Sequence, residues 1–493
     1  MSKTSEKFDA IVIGGGLAGL SCAALLAKAG LSVLLLEKNR RLGGYAVSYT
    51  IKGHRFDIAI QAIGGCGRNG IITRTLKETG QENKVNFLPF EPARVYFLDG
   101  SDSPWAQAGS WNAIINDLCA RFPGYAKEIQ KCYNVWSGIL AELERIASDE
   151  NSAFGFSRSY PLLARYSGVT LEQFLDEQPA LPDILKSHLA ARSGYCMLPP
   201  RRLSLTGFAC TEMSYKNGAW LIEGGVERLT KVLANAVLEQ GGRIKPGSQI
   251  TSIVTKDGKV RGVKTKDGLF YSGGYVVAAS AARPVFEDLL DRPDLLSVRY
   301  REKLSKMETT GSYYIAYYSL RSEAAEGLWP NIEVRIMKRR RLVSAWSPPA
   351  YYILIPSMVD PSAAPSGYHS FCLSLPCPYG CTLGVKGRRE CRTFLEREAE
   401  DRFPQLKRKL RFLFELGPEQ LATISGNPFG SAYGWALTPG QSDIKRLNIK
   451  TPVPGLYLAG HWTMPGGGIA GAITSGRLCA GAVLKGHLGT RTK

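Results

Sequence analysis

A chain of 493 residues is far longer than one minimal core requires and predicts two or more domains. With 44% hydrophobic and 21% charged residues it has the composition of an ordinary globular protein, and no apolar run reaches the ~18–20 residues of a membrane span. Lys and Arg number 62 against 43 acids, a net charge of +19, and the sequence holds no recognised module that would turn this excess toward nucleic acid.

Met1 to Asp9 is polar and leads straight into an apolar run, with neither a signal-peptide core nor transit-peptide length, so a cytoplasmic chain is expected. Ile11–Ile13 reads as a strand, followed by G-x-G-x-x-G at Gly14, Gly16 and Gly19. The alanine-rich stretch Leu20–Ala29 predicts a helix, with Gly30 where a C-terminal cap is wanted. A second apolar run, Leu31–Leu36, closes on Glu37. Each part meets a physical need of a βαβ unit that binds a dinucleotide. Gly14 turns the chain out of the strand, Gly16 lets a pyrophosphate approach the amides of the helix N-terminus, and Gly19 allows close helix–strand packing. Glu37 can accept hydrogen bonds from ribose hydroxyls.

Next come the paired glycines of Arg41-Leu42-Gly43-Gly44-Tyr45, the segment Gly53-His54-Arg55-Phe56-Asp57 and the small-residue stretch Ala62–Gly65. From 76 to 214 the apolar spacing turns mainly helical, over 111–122, 126–148 and 171–189. Residues 215–290 return to α/β character. Glu223-Gly224-Gly225 precedes a predicted helix at 226–240, two strands at 250–255 and 260–265 are joined by the turn Asp257-Gly258, and a further strand is predicted at 275–279. A second excursion, 291–424, carries β-like runs at 311–320, 351–355 and 371–375 and a charged helical stretch at 390–403. The chain ends with a strand near Leu456–Leu458, the loop Gly460-His461-Trp462-Thr463-Met464-Pro465-Gly466-Gly467-Gly468-Ile469 and a helix at 470–484. The predicted class is α/β. A Rossmann-like domain is assembled from 1–75, 215–290 and 425–493, and an inserted α+β substrate- and membrane-facing domain from 76–214 and 291–424.

Eleven cysteines are scattered through the chain, the closest to a motif being Cys377 and Cys381 with Cys372 and Cys391 flanking. Their spacing fits no common zinc pattern and only five histidines accompany them, so ordinary unpaired cysteines and no metal are expected. The basic clusters Lys338–Arg341, Lys386–Arg389 and Lys407–Arg411 each read most simply as solvated surface.

In these motifs the chain resembles the flavin amine oxidase superfamily, and within it the phytoene desaturase, carotenoid isomerase and retinol saturase branch. The matching residues are Gly14–Gly19 with Glu37, Arg41 with Gly43-Gly44, Gly53…Phe56-Asp57, Gly224-Gly225, Asp360–Gly367, and Pro454–Gly460 with Pro465–Gly468 and Ser475-Gly476. The resemblance implies FAD, contacted by Gly14, Gly16, Leu17, Ala18, Gly19, Glu37, Lys38, Arg41, Gly43, Gly44, Ile250, Gly460, His461, Gly468 and Ile469. Many relatives carry an acid where His461 stands. A cofactor contact is the plainer role for it, and an acid–base role near the flavin is the other.

The implied reaction is a desaturation or saturation of a carbon–carbon bond in an apolar polyene or isoprenoid. The alternatives are a cis–trans isomerisation without net redox change, an amine or porphyrinogen oxidation, and a non-enzymatic lipid escort. No second G-x-G-x-x-G appears between the two excursions, which points to oxygen or a quinone as electron acceptor rather than a pyridine nucleotide. Under this reading the positive charge suits peripheral docking on an anionic membrane surface. Tyr195, Trp220, Tyr313, Tyr314, Tyr433 and Trp435 are candidates for a polyene tunnel, although core packing accounts for each one separately.

Overall fold

Two seven-stranded sheets organise the described residues of the computed structural model, which are 6–59, 62–97, 103–148, 156–178, 181–335 and 350–491. The first contains β1 (Glu6–Ile13), β2 (Val33–Glu37), β3 (Arg243–Pro246), β4 (Ile250–Lys256), β5 (Lys259–Thr265), β6 (Phe270–Ala278) and β7 (Leu456–Leu458). Their order is β4-β5-β6-β1-β2-β3, with β7 also beside β6. The strands β7, β6, β1, β2 and β3 are parallel, in register at Leu456↔Val276, Val276↔Ile11, Ile11↔Leu34 and Leu34↔Arg243.

Alternation along these strands buries both faces, which is why they read as unbroken apolar runs. Ala10, Val12 and Leu35 pack under three helices, α1 (Leu17–Lys28), α2 (Glu227–Glu239) and α3 (Gly468–Arg491). Ile11, Ile13, Leu34 and Leu36 pack on the other side against Ile253, Val263 and Trp462. Helix α1 is buried on nearly all sides, since both α2 and α3 lie against it. The turn between β4 and β5 holds Asp257 at φ 53° and Gly258 at φ 72°, the primed geometry that Asp-Gly predicts.

The second sheet has the order Arg411–Leu416, Ser312–Arg321, Tyr368–Cys377, Ala350–Leu354, Asn331–Arg335, Arg94–Phe97, Trp105–Gln107. In Ser312–Arg321 the side chains divide by parity. Tyr313, Ile315 and Tyr317 face one cluster, while Tyr314, Ala316, Tyr318 and Leu320 face another. On the second face the Tyr318 hydroxyl reaches Glu396 on the helix Gly384–Arg402. A helical layer built on Ala126–Ser148 and Leu205–Ser214, with Trp136 against Phe208, forms its own core.

Three elements differ from the sequence reading. The stretch 171–189 is two helices, Leu171–Asp176 and Asp183–Leu189, because Pro182 stands ahead of the second one. The mainly helical excursion also donates the strands Arg94–Phe97 and Trp105–Gln107 to the second sheet. The first hides a charge in its core, where Arg94 pairs with Glu333 at 2.8 Å, an arrangement without hydrophobic periodicity. Strand β6 begins five residues earlier than predicted. Gly273 lets it run close to β1, since a Cβ there would lie 2.9 Å from Ile11.

Candidate functional site

The carboxyl ends of β1, β6 and β7 meet at the N-terminus of α1, where open α/β sheets bind ligands. The glycines of the first turn have different reasons for being glycine. Gly14 has φ 104°, and a Cβ there would lie 2.6 Å from the Ala279 carbonyl. At Gly19 a Cβ would lie 2.0 Å from the Gly14 carbonyl, so α1 packs against the turn only without a side chain. Gly16 is unlike both. Its backbone is ordinary (φ −75°, ψ 175°) and a Cβ would meet nothing closer than the Gly43 carbonyl at 4.0 Å. Nothing inside the protein demands a glycine there, which leaves room for something outside it.

Helix α1 has no side-chain cap, and its first internal bond runs from Leu20 N–H to the Gly16 carbonyl. The amides of Leu17, Ala18 and Gly19 therefore present the positive end of the helix dipole. Gly43 is tied to the turn, donating to the Gly15 carbonyl at 2.8 Å, and Gly44 comes within Cβ distance (3.7 Å) of Gly16. Buried Glu37 at the end of β2 accepts from Gly15 N–H at 2.7 Å and Asn39 N–H at 2.8 Å. Ser248 donates to the Glu37 carbonyl at 2.7 Å, which brings the start of β4 at Ile250 toward the same end.

The C-terminal loop completes this cradle. Gly460 has φ 100°, faces the Ala18 methyl at 3.6 Å, and donates its amide to Ser475 Oγ at 2.9 Å. Gly476 allows α3 against α1, since a Cβ there would lie 2.3 Å from the Ala18 carbonyl. Two residues that sequence reasoning missed brace the loop. Arg446 is buried and donates to the carbonyls of Thr463 (2.8 Å), Trp435 (3.2 Å) and His461 (2.6 Å). Burial pushes its guanidinium down to about 10, still cationic at neutral pH. Asn427 accepts from Trp462 Nε1 at 3.0 Å and lies 3.4 Å from His461 Nε2. No local pattern marks either residue.

The remaining candidates are placed individually. His461 is half-buried, and desolvation, then Arg446, lowers its imidazole to about 4, so it is neutral at physiological pH. Lys38 is exposed beside Gly426. Arg41 turns toward α2, bonding Glu227 Oε1 at 3.0 Å and the Ser48 carbonyl and lying over Tyr49. Gly468 and Ile469 open α3 and line a large cavity.

Three motifs converge on one another instead of on a ligand. Asp57 accepts from Ser48 Oγ at 2.6 Å and from Val226 N–H at 3.0 Å. Asp360 accepts from Gly224 N–H at 3.0 Å and pairs with Arg55. A Cβ on Gly53 would lie 3.0 Å from Pro365. This knot locks the hairpin Ser48–Asp57, the entry of α2 and the second excursion together.

The cavity, about 680 Å³, lies between the Gly466–Ile469 loop, the stretch Ala62–Gly65, the helix Leu205–Ser214 and the second sheet. Tyr313, Ile315 and Tyr317 line it together with Tyr195, Tyr215 and Tyr433, while Trp220, Tyr314 and Trp435 do not. Three carboxylates line it: Glu144 is exposed, while Asp57 and Asp443 are held by structural donors, Asp443 by Thr206 Oγ1 at 3.0 Å, and burial raises the pKa of both. Burial also pushes the Cys196 and Cys210 thiols up to about 12 and the phenols of Tyr215, Tyr313, Tyr317 and Tyr433 far above 10. These thiols and phenols of the wall are therefore uncharged at pH 7. Exposed Arg74 and Lys216 stand at the cavity's open end. Of the basic clusters, Lys338–Arg341 lies outside the described residues, Arg388 pairs with Glu415 at 3.4 Å, and Lys407–Lys409 are exposed. Among the described residues no helix is long and apolar enough to cross a membrane.

Comparison with known proteins matches residues 17–484 to the flavin containing amine oxidoreductase family. A phytoene desaturase (neurosporene-forming) of Rhodobacter capsulatus is 24% identical, over 97% of this chain and 95% of the desaturase. A chloroplastic prolycopene isomerase of Daucus carota is also 24% identical, over 97% of this chain and 80% of the isomerase. A putrescine oxidase with redesigned cofactor binding superposes with a TM-score of 0.67 at 15% identity, covering 98% of this chain and all of the oxidase, a likeness of fold.

Proposed function

The chain belongs to the flavin containing amine oxidoreductase family, and from that premise we propose that it is an FAD-dependent oxidoreductase acting on carbon–carbon bonds of an apolar polyene or isoprenoid. The observation that carries this reading is the cavity beside the glycine cradle, walled mainly by aliphatic side chains and uncharged phenols and thiols. A cationic amine seeks a carboxylate inside the cavity, whereas Asp57 and Asp443 already hold hydroxyl and amide donors and Glu144 is exposed. A polyene needs only shape, dryness and a redox partner.

FAD fits the cradle because Gly16, Gly44, Gly460 and Gly468 each leave Cβ space that no protein atom fills within 3.4 Å. The amides of Leu17, Ala18 and Gly19 would take the pyrophosphate, Glu37 the ribose through its remaining lone pairs, and Gly43, Gly44 and Gly460 the adjoining chain. Ile250 would lie beside the adenine, and Gly468 and Ile469 beside the flavin ring. Lys38, Arg41 and His461 complete the proposed contacts. Arg41 must turn from Glu227 to join them, and neutral His461 serves as a hydrogen-bonding group, not an ion. When bound, FAD supplies the acceptor or donor of a hydride equivalent. The protein's part is to exclude water with Leu143, Ile315, Leu354 and Leu437 and to hold the substrate against the Gly466–Ile469 loop. Oxygen or a quinone serves as electron acceptor. Arg74 and Lys216 at the open end would meet an anionic membrane surface, and binding to vesicles with and without anionic lipid tests that contact.

A second reading, cis–trans isomerisation without net redox change, is favoured by one observation: the isomerase, like the desaturase, is 24% identical to this chain over 97% of its length. The mass of the product separates the two. A change of two hydrogens supports the oxidoreductase, an unchanged mass supports the isomerase, and oxidation of amines with peroxide release contradicts both.

A further inference from the structure

The cavity wall includes phenols with more hydroxyl protons than acceptors among the described residues. Tyr313 and Tyr433 face each other, and their hydroxyls interact directly. Two hydroxyls carry two protons and share at most one hydrogen bond, and among the described residues no other side chain or carbonyl bonds either hydroxyl. Tyr195, beside them, likewise has no bonded hydroxyl partner, whereas Tyr215 donates to the Ala62 carbonyl at 3.1 Å. Burial keeps Tyr313 and Tyr433 protonated at every accessible pH, so they are permanent donors. Covering these cavity-facing donors with hydrocarbon would leave them without an acceptor, which is costly and argues against an all-hydrocarbon occupant.

Two further observations place this group functionally. Tyr433 packs on the glycine loop, its Cβ 2.6 Å from where a Gly467 side chain would begin, so the donors stand next to the loop assigned to the flavin ring. Behind the phenols lie two buried ion pairs, Arg94–Glu333 at 2.8 Å and Arg192–Glu212 at 2.7 Å. Arg94 lies over the Tyr195 ring at 5.3 Å and Arg192 over Tyr215 at 4.9 Å. These pairs fix the rings in place, a preorganised wall and not an adaptable one.

We propose that Tyr313, Tyr433 and Tyr195 bind an acceptor oxygen of the substrate, so that the polyene carries a carbonyl or hydroxyl group close to the reacting bond and is not a pure hydrocarbon. This rests on the polyene reading of the cavity. A hydrogen bond from a phenol to a conjugated carbonyl would also stabilise charge that moves onto the oxygen as the polyene is reduced.

The test uses the full-length FAD-loaded protein, held without oxygen, and three polyenes of equal length: a hydrocarbon, its terminal alcohol and its terminal aldehyde. Dissociation constants are read from the shift of the polyene absorption. The alcohol, the aldehyde or both should bind about tenfold more tightly than the hydrocarbon, the value of one hydrogen bond to an otherwise unpaired buried donor. The arm that binds identifies which oxygen is recognised. Tyr313→Phe/Tyr433→Phe should bring that ratio close to one at an unchanged melting temperature, and Tyr195→Phe alone should reduce it if the double variant does not fold. A hydrocarbon that binds as tightly as its oxygenated partners, or a preference that survives the Phe substitutions, overturns the inference while leaving the polyene reading intact. Binding of none of the three polyenes overturns both.

Discussion

The cradle at the end of the parallel sheet and the cavity wall beside it are made of opposite materials. The cradle is backbone: glycines at Gly14, Gly16, Gly19, Gly43, Gly44 and Gly460, helix amides, and one carboxylate at Glu37. The wall is side chain, with aromatic and aliphatic residues drawn from widely separated segments, those of Tyr313–Tyr317 chosen by strand parity. A backbone site recognises a ligand with fixed chemistry, so it tolerates little change. A side-chain wall is revised one residue at a time, so it is where substrate choice resides.

The contrast is sharpest within the first turn. Gly19→Ala forces a Cβ to 2.0 Å from the Gly14 carbonyl and should cost roughly 3 kcal/mol or more in thermal or denaturant unfolding, with cofactor binding lost as a consequence. Gly16→Ala meets no protein atom within 3.4 Å. It should therefore unfold within about 1 kcal/mol of the parent while FAD affinity falls on the order of 100-fold, as measured by flavin fluorescence titration. Equal losses of stability in the two variants, or normal FAD binding by Gly16→Ala, would break the distinction between packing glycines and ligand glycines.

The knot around Asp360 belongs to neither material. Asp360→Asn weakens the bonds to Arg55 and Gly224 and should lower stability by about 2 kcal/mol in denaturant unfolding, with FAD affinity changed less than about threefold. A selective loss of FAD binding at unchanged stability would move this motif into the cofactor site. On the wall, Ile315→Trp fills the cavity from the second sheet. It should reduce polyene binding about tenfold while the flavin spectrum stays that of the parent.

The smallest effect is that of His461. Its folded pKa of about 4 lies below its unfolded value near 6.5, so below pH 6.5 the unfolded chain binds a proton that the native chain refuses. The contribution is complete above pH 6.5 and falls as the pH drops toward 4. Between pH 7 and 5.5 the parent should lose about 1 kcal/mol more stability than His461→Leu. A pH profile of unfolding identical in the two proteins would show that His461 titrates freely.

What the sequence disclosed follows the same division. The glycine turn, α1 and Glu37 were legible because their requirements are local and periodic, all falling within one βαβ unit. The period-2 run Tyr313–Leu320 was legible as a strand, but which parity faces the cavity depends on pairing with Tyr368–Cys377 and Arg411–Leu416, some 50 to 100 residues away. The motif at Asp360 was visible while its role was not, because its partner Arg55 lies 305 positions earlier. Arg446 and Asn427 brace the loop through backbone carbonyls and an indole, contacts that leave no spacing signature.

The central claim joins the two regions: FAD in the cradle reacts with a polyene in the cavity. Anaerobic titration of the FAD-loaded protein, first with polyenes and then with polyamines, tests it most directly, with the yellow flavin band and the product mass as readouts. The account predicts that a polyene bleaches the oxidised flavin with a loss of two hydrogens, or reoxidises the chemically reduced flavin with a gain of two, while polyamines do neither. Bleaching by a polyamine, with every polyene leaving both flavin states untouched, would contradict it.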